Sequence, residues 1–190
     1  MAPKIDDRYL RDVRAEAGDR VKLMASFTGE PQPEIEWIKG GKAVAASSAN
    51  SVTLVNTDDS TKLIFNNIAK SQEGSYTLRA VNSSGEQTVT VNISVRDRPS
   101  PPTDLSAVPN GESAASLAWK VPADDGGAHI DYYQVERWES GKEGWLACGR
   151  SKANTFEALG LITGKVYKFR VSAVNRYGYS DPADSSEMEK

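Results

Sequence analysis

The chain has 190 residues, of which 38% are hydrophobic and 26% charged, with a net charge of −3. This composition is typical of folded globular domains and argues against a disordered chain. Residues 1–97 carry 12 Lys/Arg against 13 Asp/Glu and residues 98–190 carry 11 against 13, so neither half offers a basic nucleic-acid surface. No apolar run approaches the ~20 residues of a membrane span, so no membrane partner is expected.

The first half of the chain predicts a series of short β-strands and no amphipathic helix. In VKLMASFTGEPQPEIEW (21–37), the alternating apolar residues Val21, Leu23, Ala25 and Phe27 indicate a strand with one buried face; a turn and Trp37 follow. Similar patterns predict three more strands in TKLIFNNI, SYTLRAV and QTVTVNISV, with NSSGE as the hairpin turn between the last two.

A proline-rich stretch, RDRPSPPTD (96–104), separates two sets of strands. Prolines cannot extend a central strand, and they favour a stiff, extended backbone. A second set of strands follows in ASLAWKV, YYQVERW and VYKFRVSAV. We therefore predict an all-β chain of two consecutive β-sandwiches, with a first domain over 1–97, a short proline-rich joint over 98–102 and a second domain over 103–190.

Residues 3–97 resemble an immunoglobulin domain of the I-set. The resemblance rests on Gly18, Gly29-Glu-Pro-Gln-Pro33, Trp37, Gly74-Ser-Tyr76 and Ala80-Val-Asn82 followed by Gly85. In this family a core Trp packs on a disulfide between the sheets, and a tyrosine corner lies two residues before the second cysteine. The resemblance thus implies that Tyr76 is the corner and that Ala25 and Leu78 occupy the two cysteine positions. Apolar burial against Trp37 would then replace the cross-link.

Residues 99–185 resemble a fibronectin type III domain. The resemblance rests on the motifs LAW (117–119), DDGG (124–127), YQVE (133–136), GWLAC (144–148) and YKFRVSAVN (167–175). It implies a core built around Trp119, Tyr133 and Tyr167. A cysteine-free I-set domain joined through prolines to such a domain is similar to segments of the giant muscle proteins titin, twitchin and projectin, with obscurin and myosin-binding protein C as relatives.

The sequence contains no catalytic constellation, so we do not expect this segment to be an enzyme. His129 is the only histidine and Cys148 the only thiol, and neither belongs to a recognisable nucleophile, phosphate-binding or metal-binding motif. Asp124 and Asp125 are two adjacent carboxylates, whereas calcium takes about six to eight oxygen ligands. We therefore predict no cofactor and no metal, and we interpret the DDGG loop as a turn with solvated charges.

Two features bear on cellular location and point in opposite directions. A chain whose only thiol is Cys148 can form no intrachain disulfide, which favours a reducing compartment. The sequons Asn82-Ser-Ser84 and Asn92-Ile-Ser94 favour secretion, although the N-terminus MAPKIDDRYL has no apolar signal core. We expect a cytoplasmic protein, and a fragment of a cell-surface adhesion protein or receptor ectodomain is the alternative.

The segment NRYGYS (175–180) is the candidate partner-binding surface, in the expected loop between strands F and G of the second domain. Arg176, Tyr177 and Tyr179 are of the residue types enriched at binding hot spots, and loops at the ends of a sandwich often carry recognition. The alternative is that the two tyrosines pack on their own domain.

The resemblance to giant muscle proteins implies a function for the segment as a whole. It implies a structural and interaction module of a thick-filament-associated sarcomeric protein, in the A-band or at the M-line. Such a module acts as a spacer, a mechanical element and a docking surface for muscle proteins such as myosin. Its other neighbours would be immunoglobulin and fibronectin domains of the same chain, and the parent chain can carry a protein kinase domain. The fragment itself is expected to be monomeric.

Overall fold

The computed structural model describes all 190 residues, which form two compact units, Met1–Arg96 and Asp97–Lys190. Each unit consists of two β-sheets that enclose a hydrophobic core, which confirms the predicted all-β fold. The one helical element is a single 3₁₀ turn, Lys70–Gln72. No helix therefore has the length and hydrophobicity needed to cross a membrane.

The first unit contains nine strands in two sheets. One sheet has the order β1-β3-β7-β6 and the other β2-β9-β8-β4-β5, and β2 runs parallel to β9. The strands are β1 (Lys4–Asp6), β2 (Val13–Glu16), β3 (Val21–Thr28), β4 (Glu34–Lys39), β5 (Lys42–Ala43), β6 (Val52–Asn56), β7 (Ser60–Phe65), β8 (Gly74–Asn82) and β9 (Gly85–Arg96).

The core of the first unit follows the period-2 pattern of its sequence. Along β3, Val21, Leu23, Ala25 and Phe27 are buried while the residues between them are more exposed. Trp37 on β4 lies opposite Leu78 on β8, and both side chains are almost fully buried. Ala25 and Leu78, on strands of the two different sheets, lie in the same apolar cluster as Trp37. The two sheets are thus held together by packing, since the unit contains no cysteine.

The second unit also contains nine strands. Three form the sheet β10-β11-β14, and the other sheet has the order β13-β12-β15, with the short strands β16, β17 and β18 all paired to β15. The strands are β10 (Thr103–Asn110), β11 (Ala114–Lys120), β12 (Tyr132–Glu139), β13 (Leu146–Ser151), β14 (Thr155–Ala158), β15 (Val166–Asn175), β16 (Gly178–Tyr179), β17 (Ala183–Asp184) and β18 (Met188–Glu189).

The core of the second unit is centred on aromatic side chains from both sheets. Trp119 on β11 meets the ring of Tyr133 on β12 edge to face, with ring centroids 5.2 Å apart. Tyr167 and Phe169 on β15 are both fully buried, and their rings are 6.4 Å apart. The Trp119–Tyr133 contact joins β11 to the sheet that contains β12 and β15 and so helps to close the sandwich.

A buried tyrosine hydroxyl fastens a loop to the core in each unit. The Tyr76 hydroxyl donates a hydrogen bond to the Gln72 carbonyl at 2.5 Å. In the second unit the Tyr167 hydroxyl accepts one from the Ile162 N–H at 2.8 Å. Gln72 itself holds the preceding turn, because its side chain accepts from the Ala69 N–H and donates to the Asn50 carbonyl. These hydrogen bonds order the loop that precedes β8.

The Tyr76 hydroxyl makes the first unit sensitive to alkaline pH. Burial raises the pKa of Tyr76 from 10.0 to about 12. As the pH rises, the Tyr76 hydroxyl loses its proton in the unfolded chain before it does so in the folded domain. The contribution of this hydroxyl to the free energy of unfolding is therefore complete below about pH 10 and is lost as the pH rises towards 12. We expect the free energy of unfolding to fall across this window, and Tyr76→Phe to flatten the fall, in urea denaturation followed by signals of the first unit. An equally steep fall in the variant would contradict this assignment.

Candidate docking surface

The loop between β15 and β16 is a two-residue turn whose conformation is fixed by one asparagine. Asn175, at the end of β15, is 3% exposed. Its Oδ1 accepts hydrogen bonds from the N–H groups of Tyr177 and Gly178, at 2.8 and 3.2 Å. These bonds satisfy the turn amides locally and hold the Arg176–Tyr177 pair at the tip.

The side chains at the tip of this turn are available to solvent. Arg176 is exposed and Tyr177 is half-buried. The Arg176 guanidinium lies 5.5 Å from the centre of the Tyr177 ring, within the range of a cation–π contact. The two side chains therefore form one pre-ordered amphipathic group rather than two independent ones.

Tyr179 extends this group onto the face of the sheet. It is 50% exposed, and its hydroxyl lies 3.1 Å from the hydroxyl of Tyr132 on β12. The Arg150 guanidinium of β13 lies 4.4 Å from the centre of the Tyr132 ring. We call the five residues Tyr132, Arg150, Arg176, Tyr177 and Tyr179 the tyrosine–arginine surface. The hydrogen bond with Tyr179 is the main cause that raises the pKa of Tyr132.

Sequence reasoning singled out three members of this surface and missed Tyr132 and Arg150. The relevant pattern was visible on β12, where Tyr133 points into the core and the alternation places Tyr132 on the opposite face. The sequence did not show the strand pairing that brings Tyr132 next to Tyr179. Both residues pair with Val174 of β15, from opposite sides, and this register is a tertiary feature.

The remaining chemically active side chains have local partners. The carboxylates of Asp124 and Asp125 accept hydrogen bonds from the N–H groups of Gly126 and Gly127, each at 2.8 Å. No group of three or more His, Cys, Asp and Glu is placed to share a metal ion. Cys148 is half-buried on β13, and burial raises the pKa of its thiol, which disfavours the reactive thiolate.

Both sequon asparagines also take part in hydrogen bonds of the first unit. The Asn82 amide nitrogen donates to the carbonyls of Met1 and Pro31, at 2.9 and 2.8 Å. Asn92 Oδ1 accepts from the Ser75 hydroxyl at 2.5 Å. A glycan on the Asn82 nitrogen would replace one of its two donated hydrogen bonds.

Comparison with protein families assigns each unit separately. Residues 3–95 match the immunoglobulin I-set domain, and residues 100–189 match the fibronectin type III domain. The first unit belongs to the I-set immunoglobulin family and the second to the fibronectin type III family. The predicted resemblance of each half is thus confirmed, and the two units are called the I-set domain and the fibronectin domain from here on.

The relatives of this domain pair include very long muscle proteins. The chain is 33% identical over 185 residues to a titin homolog of Caenorhabditis elegans, with 96% of this chain covered but only 1% of the relative. It is 32% identical over 169 residues to the fast-type myosin-binding protein C of Homo sapiens, with 88% of this chain covered and 15% of the relative. The chain thus spans a small fraction of the relatives that it matches.

Solved structures give the same assignment. A crystal structure of consecutive titin domains aligns with all of this chain and with 66% of the titin fragment, at 29% identity and a TM-score of 0.52. Immunoglobulin and fibronectin domains are non-catalytic structural modules, so the prediction that this segment is not an enzyme is confirmed. The pair is a structural and interaction module similar to those of muscle proteins.

Proposed function

We propose that this chain is a spacer and docking segment of a thick-filament-associated sarcomeric protein, in the cytoplasmic A-band or M-line of muscle. The observation that carries the proposal is the tyrosine–arginine surface, which is present in a chain similar to titin and myosin-binding protein C. These relatives favour the muscle interpretation over the cell-surface alternative. A kinase domain elsewhere in the parent chain is part of the same proposal.

The topology of the I-set domain suits the spacer role. Its first strands are β1 and β2 and its last is β9, and β2 pairs with β9 in parallel over four residues. Tension on the two ends pulls these parallel strands in opposite directions along their length. Their hydrogen bonds then have to break together rather than one by one, which gives a stiff element.

The tyrosine–arginine surface suits the docking role. Tyrosine rings offer large contact areas at low conformational cost, and arginines bind carboxylates and carbonyls of a partner. Neither Arg150 nor Arg176 forms a salt bridge, whereas Arg170, nearby on β15, is paired with Glu136. Arg150 donates only to the Gln134 amide oxygen, at 3.3 Å. Because neither guanidinium has a carboxylate partner, both fit a partner surface that carries acidic side chains. We propose myosin as this partner, with repeated domains of the parent chain converting weak single contacts into firm attachment.

Co-sedimentation of the 190-residue chain with purified myosin filaments tests the docking role. We expect Arg176→Ala combined with Tyr179→Ala to weaken binding at least tenfold, because hot-spot residues of these types each contribute about 2 kcal/mol or more. The matched control is Arg14→Ala combined with Tyr9→Ala, since both side chains are exposed on the I-set domain. Equal binding by both double variants would rule out this surface, and no binding by the unaltered chain would rule out myosin.

A further inference from the structure

The chain segment that leads into the fibronectin domain is bound by two of that domain's own loops. The Asp97 N–H donates to the Gly126 carbonyl, and the Ser100 N–H donates to the Asp124 carbonyl, both at 2.9 Å. The Ser100 hydroxyl accepts from the Asp124 N–H at 3.0 Å. The sequence predicted a short, stiff proline-rich joint over 98–102 outside both domains, and the segment Asp97–Ser100 lies against the loop between β11 and β12.

Asn175 completes this attachment from the other loop. Its amide nitrogen donates to the Asp97 carbonyl at 2.9 Å and to the Asp125 carbonyl at 2.8 Å. An amide has two N–H donors and one carbonyl acceptor, so a single side chain can bridge two carbonyls and also accept from the turn. Asn175 therefore ties together three segments: the incoming chain, the β11–β12 loop and the β15–β16 turn.

A glycine makes room for the incoming chain. Gly126 is buried and has a φ of +76°. A Cβ at this position would lie 2.0 Å from the Asp97 carbonyl oxygen, far inside van der Waals contact. Any other residue would thus have to push Asp97 away from the loop, which explains the need for glycine in a motif that sequence reasoning treated as a simple turn.

The I-set domain contains a similar arrangement, in which an asparagine again bridges the incoming chain and a loop. The Asn82 amide nitrogen bridges the carbonyls of Met1 and Pro31, and its Oδ1 accepts from the Ser84 N–H at 2.9 Å. Asn82 ends β8 just as Asn175 ends β15. Gly29 allows the close packing here, since a Cβ there would lie 2.7 Å from the Pro33 Cγ, 3.2 Å from the Asn82 Nδ2 and 3.3 Å from the Pro3 Cα.

We propose that Asn82 and Asn175 are the positioning residues of an N-terminal clamp, which in each domain fixes the direction of the chain that leads into the first strand. The fibronectin domain then begins at Asp97 rather than at Thr103. The clamp itself depends only on contacts within each domain. We infer that the clamp serves to direct the connection between consecutive domains of a long chain. This inference rests on the spacer role proposed above.

Amide hydrogen exchange of the full 190-residue chain, measured by NMR, tests the clamp. In the unaltered chain we expect the Asp97 and Ser100 amides to be protected. Asn175→Asp keeps the Oδ1 acceptor for the turn but removes both N–H donors and places a carboxylate beside two carbonyl oxygens. We expect the two amides to exchange at least tenfold faster in this variant, while buried strand amides such as that of Val135 keep their rates.

A matched control separates the clamp from general loosening. Asn154 also donates its amide nitrogen to a backbone carbonyl, that of Trp119 at 2.9 Å, but lies outside the clamp. Asn154→Asp should leave the exchange of Asp97 and Ser100 unchanged. In the I-set domain Asn82→Asp should speed exchange of the Glu30 amide, which donates to the Met1 carbonyl at 3.0 Å.

Two results would overturn the proposal. One is fast exchange of the Asp97 and Ser100 amides in the unaltered chain. This measurement does not depend on whether any variant folds. The other is unchanged protection in Asn175→Asp and also in Gly126→Ala, which crowds the Asp97 carbonyl from the opposite loop. Because no myosin is present in these measurements, failure of the docking proposal leaves their outcome unaffected.

Discussion

Replacing Trp37 with Ala is expected to lower the free energy of unfolding of the I-set domain by about 3–5 kcal/mol. The side chain is 1% exposed, and its removal leaves a large cavity between the two sheets. Ala25 and Leu78 cannot fill this cavity, because each is already buried among its own neighbours. No disulfide joins the two sheets, so their attachment depends on the packing of core residues such as Trp37.

Trp37 also links the two sheets through a hydrogen bond. Its indole N–H, on β4, donates to the Thr61 hydroxyl on β7 at 2.9 Å, and that hydroxyl donates to Asn56 Oδ1 at 2.7 Å. Thr61 is fully buried, so the bond between the Trp37 indole and the Thr61 hydroxyl is shielded from water, whereas Asn56 is exposed. We infer that this bond, together with the packing of Ala25 and Leu78, serves in place of the cross-link usual in the family.

Urea denaturation followed by NMR signals of the I-set domain measures the effect of Trp37→Ala. Trp37→Phe is the informative partner variant, since it keeps an aromatic ring and removes only part of the volume and the N–H. Trp138→Ala, at a half-buried position of the fibronectin domain, should leave the I-set signals unaffected. A midpoint unchanged by Trp37→Ala would show that this side chain is not central to the core.

Replacing Trp119 with Ala is expected to lower the free energy of unfolding of the fibronectin domain by a similar amount, about 3–5 kcal/mol. Trp119 is 3% exposed and packs edge to face on Tyr133, so truncation removes both apolar burial and an aromatic contact. Replacement with Phe should be far milder. The Trp119 indole nitrogen is buried without a hydrogen-bond partner, so its removal breaks no bond and relieves an unsatisfied donor.

The two Trp→Phe variants form a direct comparison. Trp37→Phe removes a buried hydrogen bond, whereas Trp119→Phe removes none. We therefore expect Trp37→Phe to lower the free energy of unfolding by about 1 kcal/mol more than Trp119→Phe does. Denaturation of both variants under identical conditions, each followed by signals of its own domain, measures this difference. A larger cost for Trp119→Phe would mean that its indole N–H has a partner, such as a buried water.

The sequence predicted the fold because burial in a sandwich follows a local rule. Val21, Leu23, Ala25 and Phe27 alternate with polar residues, and this period of two places one face of β3 in the core whatever its partners are. The motifs around Trp37, Tyr76 and Trp119 then identified the type of each sandwich. These features are readable because they depend on residues close together in the chain.

The sequence predicted only those residues of the candidate site that lie close together in the chain. Arg176, Tyr177 and Tyr179 share one turn and could be found by composition, but Tyr132 and Arg150 join them through strand pairing. The sequence likewise gives no indication that Trp37 has a hydrogen-bond partner and Trp119 none. The partner depends on which residue of the opposite sheet faces the indole nitrogen.

The amino-acid sequence by itself determined that this chain forms two sandwiches, that neither contains a disulfide and where long strands such as β3, β8 and β15 lie. Only the tertiary structure decided which residues the proline-rich stretch contacts. Prolines predict a stiff extended segment, but they carry no information on what that segment touches. The attachment of Asp97 depends on Gly126 and Asn175, which are distant in sequence and meet because the loops at one end of a sandwich converge.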